Sequence, residues 1–339
     1  MPYRRPAISP NTGVVWTARA SAANNAWRGI AFGNGLFVAI ANSGIGNRVM
    51  TSPNGVDWTI RASATDNSWR AITFGIGLFV AVAINSGIGN QVMTSPDGIN
   101  WTSRAAASIN DWQGVTFGDG LFVATSTNGA GNQVMTSPDG INWTSRVTPV
   151  NNSWFNVAFG NGLFVAVAQA GIGNRVMTSP NGVDWTIRAS AADNVWAGVT
   201  FANGLFVAVS ENAGANNVMT SPDGINWTSR ASAADNAWRG ITFGNGLFVA
   251  VSADGVGNRV MTSPNGVDWT IRASAIDISW ADVTFASGLF VAVASDGIGN
   301  QVMISVELAT GGETEKTASG MSMLPFLTTL AAQLAQRNH

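Results

Sequence analysis

Asp66, Asp193, Asp235 and Asp277 recur at one position of a repeating pattern, and two carboxylates held apart are the minimum equipment of a glycosidase acid and base. Their recurrence argues against that use. A catalytic carboxylate needs a particular, asymmetric environment to shift its proton affinity, whereas a carboxylate repeated from copy to copy belongs to a turn. The single histidine, His339, follows the repeats, so neither a Ser-His-Asp relay nor a His-ligated metal can be built within them. With no cysteine, thiolate chemistry and disulfides are absent. The loops Asp254 to Asn258 and Asp296 to Asn300 each offer one carboxylate where calcium gathers several oxygens. No catalytic residue, metal or cofactor is expected, and glycoside hydrolysis stands behind any binding role.

Binding chemistry is better represented. Trp27, Trp69, Trp112, Trp154, Trp196, Trp238 and Trp280 recur at one position, usually after a polar pair such as Asp66-Asn67, Asn151-Asn152, Asp193-Asn194 or Asp235-Asn236. An exposed indole beside such groups stacks on a sugar whose hydroxyls they can bond. The residue after each tryptophan varies, and Arg28, Arg70, Gln113 and Arg239 join the candidate ligand-binding set. Seven such places would act through multivalency. The opposing reading, that each indole fills the space between neighbouring repeats, is favoured, because large aromatics are usually buried where sheets meet.

The elements that must position these residues follow from the period. Gly-Leu-Phe-Val-Ala begins at Gly35, Gly77, Gly120, Gly162, Gly204, Gly246 and Gly288, a spacing of 42 residues with one interval of 43. Short apolar runs and glycine turns at this period indicate four-stranded propeller blades. In the first copy, Trp27 to Phe32 reads as the inner strand, Leu36 to Ala41 as a strand covered on both faces, Arg48 to Ser52 as the third and Val56 to Arg61 as the outer strand. The segment from Ser9 to Arg19 reads as a fourth strand without its first three, and Trp280 to Ser305 supplies three strands without a fourth. The two ends therefore complete one blade, with the N-terminal strand pairing near Gln301 to Ser305. The expected fold is all-β, a seven-bladed β-propeller of four-stranded antiparallel blades over residues 1–305. A linker over 306–320 and an amphipathic C-terminal helix over 321–339 follow, with Met323, Leu327, Leu330 and Leu334 on one stripe for docking to a protein partner or a second copy.

The turn before each outer strand reads Ser52-Pro53-Asn54-Gly55-Val56-Asp57-Trp58, or Ser95-Pro96-Asp97-Gly98-Ile99-Asn100-Trp101 in other copies. It resembles the Asp-box, or BNR, hairpin of sialidase-like propellers, Ser-x-Asp-x-Gly-x-x-Trp, shortened by one residue in six copies. Only Ser9 to Trp16 keeps the full spacing, with Asn11 in the Asp position. The resemblance implies a structural hairpin, closed by the Asp or Asn with the Trp packed beneath. Copies one, four and six carry Asn then Asp, and copies two, three and five Asp then Asn, which a turn constraint or common descent explains equally well. The resemblance also suggests sialidase activity, with a tyrosine nucleophile, its glutamate, an aspartic acid and three arginines. Tyr3 is the only tyrosine and precedes the array, and Glu211 is the array's one glutamate. Arg19, Arg61, Arg104, Arg146, Arg188, Arg230 and Arg272 end outer strands, where rim ion pairing or stacking is the expectation.

A net charge of -2, a single lysine (Lys316) and no basic cluster beyond Arg4 and Arg5 exclude a nucleic-acid partner. No secretory signal and no transmembrane segment are read, and the compartment stays open, with an extracellular, virion or appendage surface preferred over the cytoplasm. Differences between copies collect in the loop between strands two and three, for example Ala41-Asn42-Ser43 against Glu211-Asn212-Ala213. That loop and the inter-blade connection leave from one face. The expected function is a non-enzymatic recognition propeller binding a glycan or cell-surface receptor through this variable face. The alternative is a structural component of a viral or cell-surface appendage docked by the C-terminal helix.

Overall fold

The computed structural model describes residues 12–84, 90–212 and 214–305. The proposed linker and the helix with Met323, Leu327, Leu330 and Leu334 lie outside the described residues, as does Tyr3. Seven blades form, each a four-stranded antiparallel sheet; six follow chain order, and the seventh takes its outer strand from the N-terminal end of the array. In the first, the inner strand is Trp27–Gly33, the second Leu36–Ala41, the third Val49–Ser52 and the outer Thr59–Arg61. No helix among the described residues is long and apolar enough to cross a membrane.

The second strands carry the repeated Phe-Val-Ala core. In the first blade Phe37, Val38, Ala39 and Ile40 are all fully buried, because neighbouring blades cover both faces of the sheet. Each hydrophobic cluster therefore spans two blades. Phe37, Ala39 and Met50 of the first blade pack with Val291, Val293 and Val302 of the last. Inner and second strands join through two-residue turns with both central residues in the left-handed region, as at Asn34 (φ 48°) and Gly35 (φ 75°). This is the backbone of a hairpin whose twist matches its strands, and Asn-Gly is its preferred sequence. The second blade puts Ile76 there at φ 44°, a strained place for a β-branched side chain.

The ends close the ring as their complementary patterns predict. Thr17–Arg19 pairs antiparallel with Val302–Ser305, with Thr17 opposite Ile304 and Arg19 opposite Val302. The Gly13 amide also donates to Ser305 Oγ at 2.7 Å.

The outer strand is shorter than the sequence pattern suggests. Val56, Asp57 and Trp58 belong to the turn, because Asn54 Oδ1 accepts from the amides of both Val56 and Asp57 at 2.9 Å and holds them out of the ladder. Inner strands are irregular at one place in every blade. The register shifts between Trp27 and Gly29 in the first, and at the corresponding residues in the other six. The bulged residue is the one after the tryptophan.

Candidate functional site: the axial cavity

A β-bulge leaves one residue unpaired and re-aims its side chain. Here the bulged residues are Arg28, Arg70, Gln113, Phe155, Ala197, Arg239 and Ala281, and together they line a cavity of about 340 Å³ formed by the inner strands. Gln169 and Glu211, from the variable loops of blades four and five, also line it, so its mouth is on the variable face. Arg28, Arg70, Gln113 and Arg239, singled out from the sequence, are brought together here.

The tryptophans beside them are not available to a ligand. All seven inner-strand tryptophans are fully buried. Each indole nitrogen is also taken, donating to the carbonyl four residues earlier, as Trp27 does to Ala23 at 3.2 Å and Trp238 to Ala234 at 3.1 Å. Trp69, Trp112, Trp154, Trp196 and Trp280 repeat the bond. The bulge thus separates two neighbours: the tryptophan turns between blades and the next residue turns to the axis. Sugar stacking on this ring is corrected accordingly.

The cavity is rich in cations. Arg70 Nε donates to Gln113 Oε1 at 2.8 Å. Arg239 Nε donates to Glu211 Oε1 at 2.7 Å, and its terminal nitrogen reaches Ser279 Oγ at 3.2 Å. Arg28 Nε is buried with no hydrogen-bond partner among the described residues. Burial, then the positive charges of Arg70 and Arg239, pull the Arg28 guanidinium down to about 10. Arg70 is lowered too, by burial first and then by Arg239.

Sequence reading missed Asp282 and Asn156. They occupy the third position of the inner strand, where the other blades carry Gly29, Ala71, Gly114, Gly198 and Gly240. Asp282 Oδ2 accepts from the Ile30 amide across the blade seam at 3.0 Å, and Oδ1 from the Val283 amide at 2.9 Å. Burial of the carboxyl outweighs these bonds and pushes it up to about 7. Asn156 makes the corresponding crossing with the opposite polarity, donating from Nδ2 to the Ala197 carbonyl at 3.2 Å. The departure from Gly or Ala at this position was the available signal.

The remaining repeated polar residues are structural. Asp66 and Asp193 accept from the Gly46 and Gly173 amides at 2.7 and 2.6 Å, and Asp277 from Gly257 at 2.8 Å, so each clamps the variable loop of the preceding blade. Asp235 holds the Gly214 amide in the same way. Asp254 and Asp296 cap inner-strand entries through the amides of Ala237 and Ser279.

The outer arginines hydrogen-bond within their own blade, where rim ion pairing or stacking was expected. Arg61 Nε donates to Thr51 Oγ1 at 3.0 Å, and the arginines at 104, 146, 188, 230 and 272 repeat the bond. Blade seven has Ile304 in place of that threonine, and Arg19 Nε is left buried without a partner among the described residues.

The box turns close as their motif implies. Asp97 Oδ1 accepts from the Ile99 and Asn100 amides, and Asn100 Nδ2 donates to Asp97 Oδ2 at 2.8 Å. In the swapped copies Asn54 Nδ2 donates to Asp57 Oδ2 at 2.9 Å. Either order leaves one amide facing one carboxylate. The Asn100 amide, followed by those of Ile99 and the side chains, holds the Asp97 carboxyl well below the usual range, and Asp139 and Asp223 are depressed alike. Below each turn the indole donates to the glycine carbonyl, as Trp101 does to Gly98 at 3.1 Å.

No family model matches the chain, and no curated protein matches it in sequence. Among solved structures, virginiamycin B lyase from Staphylococcus aureus shares 13% identity at a TM-score of 0.71, over 87% of this chain and 100% of that one. YCF48 bound to a D1 peptide shares 14% at 0.64, over 86% and 96%. YCF48 from Cyanidioschyzon merolae shares 15% at 0.63, over 86% and 98%. At these identities the likeness is one of fold.

Proposed function

We propose that this protein is a non-enzymatic recognition propeller that takes its ligand in the axial cavity, at the variable face. The observation that carries this is the contrast between two adjacent positions. The inner-strand tryptophan is identical in all seven blades, while the next residue, which faces the cavity, is Arg, Arg, Gln, Phe, Ala, Arg and Ala. A uniform scaffold presenting a non-uniform lining is the arrangement expected of one asymmetric binding site. The earlier picture of seven equivalent sugar sites gives way to a single one. Kinship with Asp-box propellers belongs to this proposal, supported by the turn geometry. A protein ligand has precedent in the fold, since YCF48 was solved with a peptide.

The test is a panel of immobilised glycans and peptides probed with the wild-type protein and with Ala281→Trp, which fills the cavity. Binding that disappears in a folded Ala281→Trp supports the axial site. Binding that survives would move recognition elsewhere. A second reading, acid–base catalysis, has one observation in its favour: the Asp282 carboxyl lines the cavity and is pushed up to about 7. Against it, both oxygens are engaged by backbone amides. Turnover of any bound panel member that is abolished in Asp282→Asn would favour this reading.

A further inference from the structure

Resting on the recognition reading above, we infer that the axial cavity is an oxyanion site, selective for a small ligand that carries a carboxylate or phosphate group. Three guanidinium groups line one cavity of about 340 Å³. Glu211 offsets one of them through its ion pair with Arg239. Asp282 does not offset a second, because its oxygens are turned to the amides of Ile30 and Val283. Arg28 is left without an ion pair among the described residues, and both it and Arg70 feel like charge from neighbouring guanidinium groups ahead of the opposing charge of Glu211, with Asp296 acting on Arg28 and Asp111 on Arg70 more weakly still.

The hydrogen-bond inventory points the same way. Only Nε of Arg70 and Nε plus one terminal nitrogen of Arg239 are engaged, and Arg28 Nε is a buried donor with nothing to donate to among the described residues. A guanidinium presents five donors in a planar fork that matches an oxyanion through two parallel bonds. A neutral ligand would leave those donors and the mutual repulsion uncompensated. An oxyanion relieves both. Phe155, Ile72, Val115 and Ile241 add apolar surface to a lining that also carries Gln113, Asn156, Gln169 and Asp282, so the part of the ligand away from the anion meets both kinds of surface.

The experiment is isothermal titration of the full-length protein with benzoate, phenyl phosphate and the neutral isostere benzamide. The titrations are repeated on Arg28→Gln, Arg70→Gln and Ala281→Trp, with melting temperatures as the folding control. The inference expects saturable binding of at least one anion, at least about tenfold tighter than benzamide. It expects a further loss of about ten- to a hundredfold in Arg28→Gln, the range for removing a charge-assisted contact. Binding should vanish in Ala281→Trp. The preferred anion identifies the oxyanion. Equal binding of benzamide and the anions, indifference to both arginine replacements, or no binding of either anion overturns the inference. Should the anions fail while panel binding is still lost in Ala281→Trp, recognition through the cavity stands and only its anionic character falls.

Discussion

Replacing Asp282 by asparagine isolates the contribution of one buried carboxyl to stability. In the native protein that carboxyl protonates at about 7, whereas in the unfolded chain it returns to the ordinary carboxylate range near 4. Between these values the native state holds a proton that the unfolded state has lost. The associated stability is fully present below about pH 4, declines as pH rises, and is gone above about pH 7. At about 1.4 kcal/mol for each pH unit of difference the ceiling is about 4 kcal/mol. The residue is only half-buried against the cavity, so roughly 2 kcal/mol is the working expectation. Asparagine fits the place, as Asn156 demonstrates in blade four, and there its amide reaches the carbonyl of the next blade's bulged residue. It does forgo the acceptor for the Ile30 amide, a pH-independent loss of about 1 kcal/mol. Urea unfolding of both proteins at pH 4.5 and pH 8 measures the difference. Asp282→Asn should be the less stable at pH 4.5 and gain roughly 2 kcal/mol relative to wild type by pH 8, while all other titrations cancel between the two. A stability difference unchanged across that range would refute the reasoning.

Three further outcomes are expected. Asn54→Asp sets two carboxylates against each other in a box turn and should cost about 1 kcal/mol, while adding Asp57→Asn recreates the order at Asp97 and Asn100 and should restore stability; additivity of the two replacements in thermal melts would mean the turn imposes no constraint. Ile304→Thr gives Arg19 the acceptor its counterparts have, which should offset the roughly 2 kcal/mol of apolar burial lost, so that stability changes by less than about 1 kcal/mol. A fall in stability of about 2 kcal/mol or more would mean that the hydroxyl does not satisfy Arg19. Ile76→Asn, which removes a β-branched side chain from a left-handed position exposed to solvent, should raise stability by about 1 kcal/mol in the same assay.

The ring, its blade count and its closure were legible because each is written redundantly. Seven copies of one apolar strand and two complementary half-repeats admit few other arrangements. The bulge was not legible, since Trp-Arg-Gly and Trp-Gln-Gly alternate no differently from a regular strand. Without it the tryptophan and its neighbour could not be assigned to opposite environments, and both entered the candidate site. The arginines ending the outer strands were misjudged for a related reason. Their partner threonines lie ten residues earlier on the adjacent strand, a pairing that depends on register. Asp282 and Asn156 were visible as departures from glycine or alanine, but their crossing of the blade seam requires the neighbouring backbone.

The closure has a mechanical consequence. Thr17 lies opposite Ile304 and Arg19 opposite Val302, so the chain enters and leaves the paired strands at the same end. Tension applied through the two ends of the ring would peel that three-residue ladder open one pair at a time, without loading its bonds together in shear. The remaining blades, each tied by strands consecutive in sequence, would be reached only afterwards. The point at which the two ends meet is thus the tear line of the whole ring, and a molecule anchored by one end and pulled by the other would yield there first.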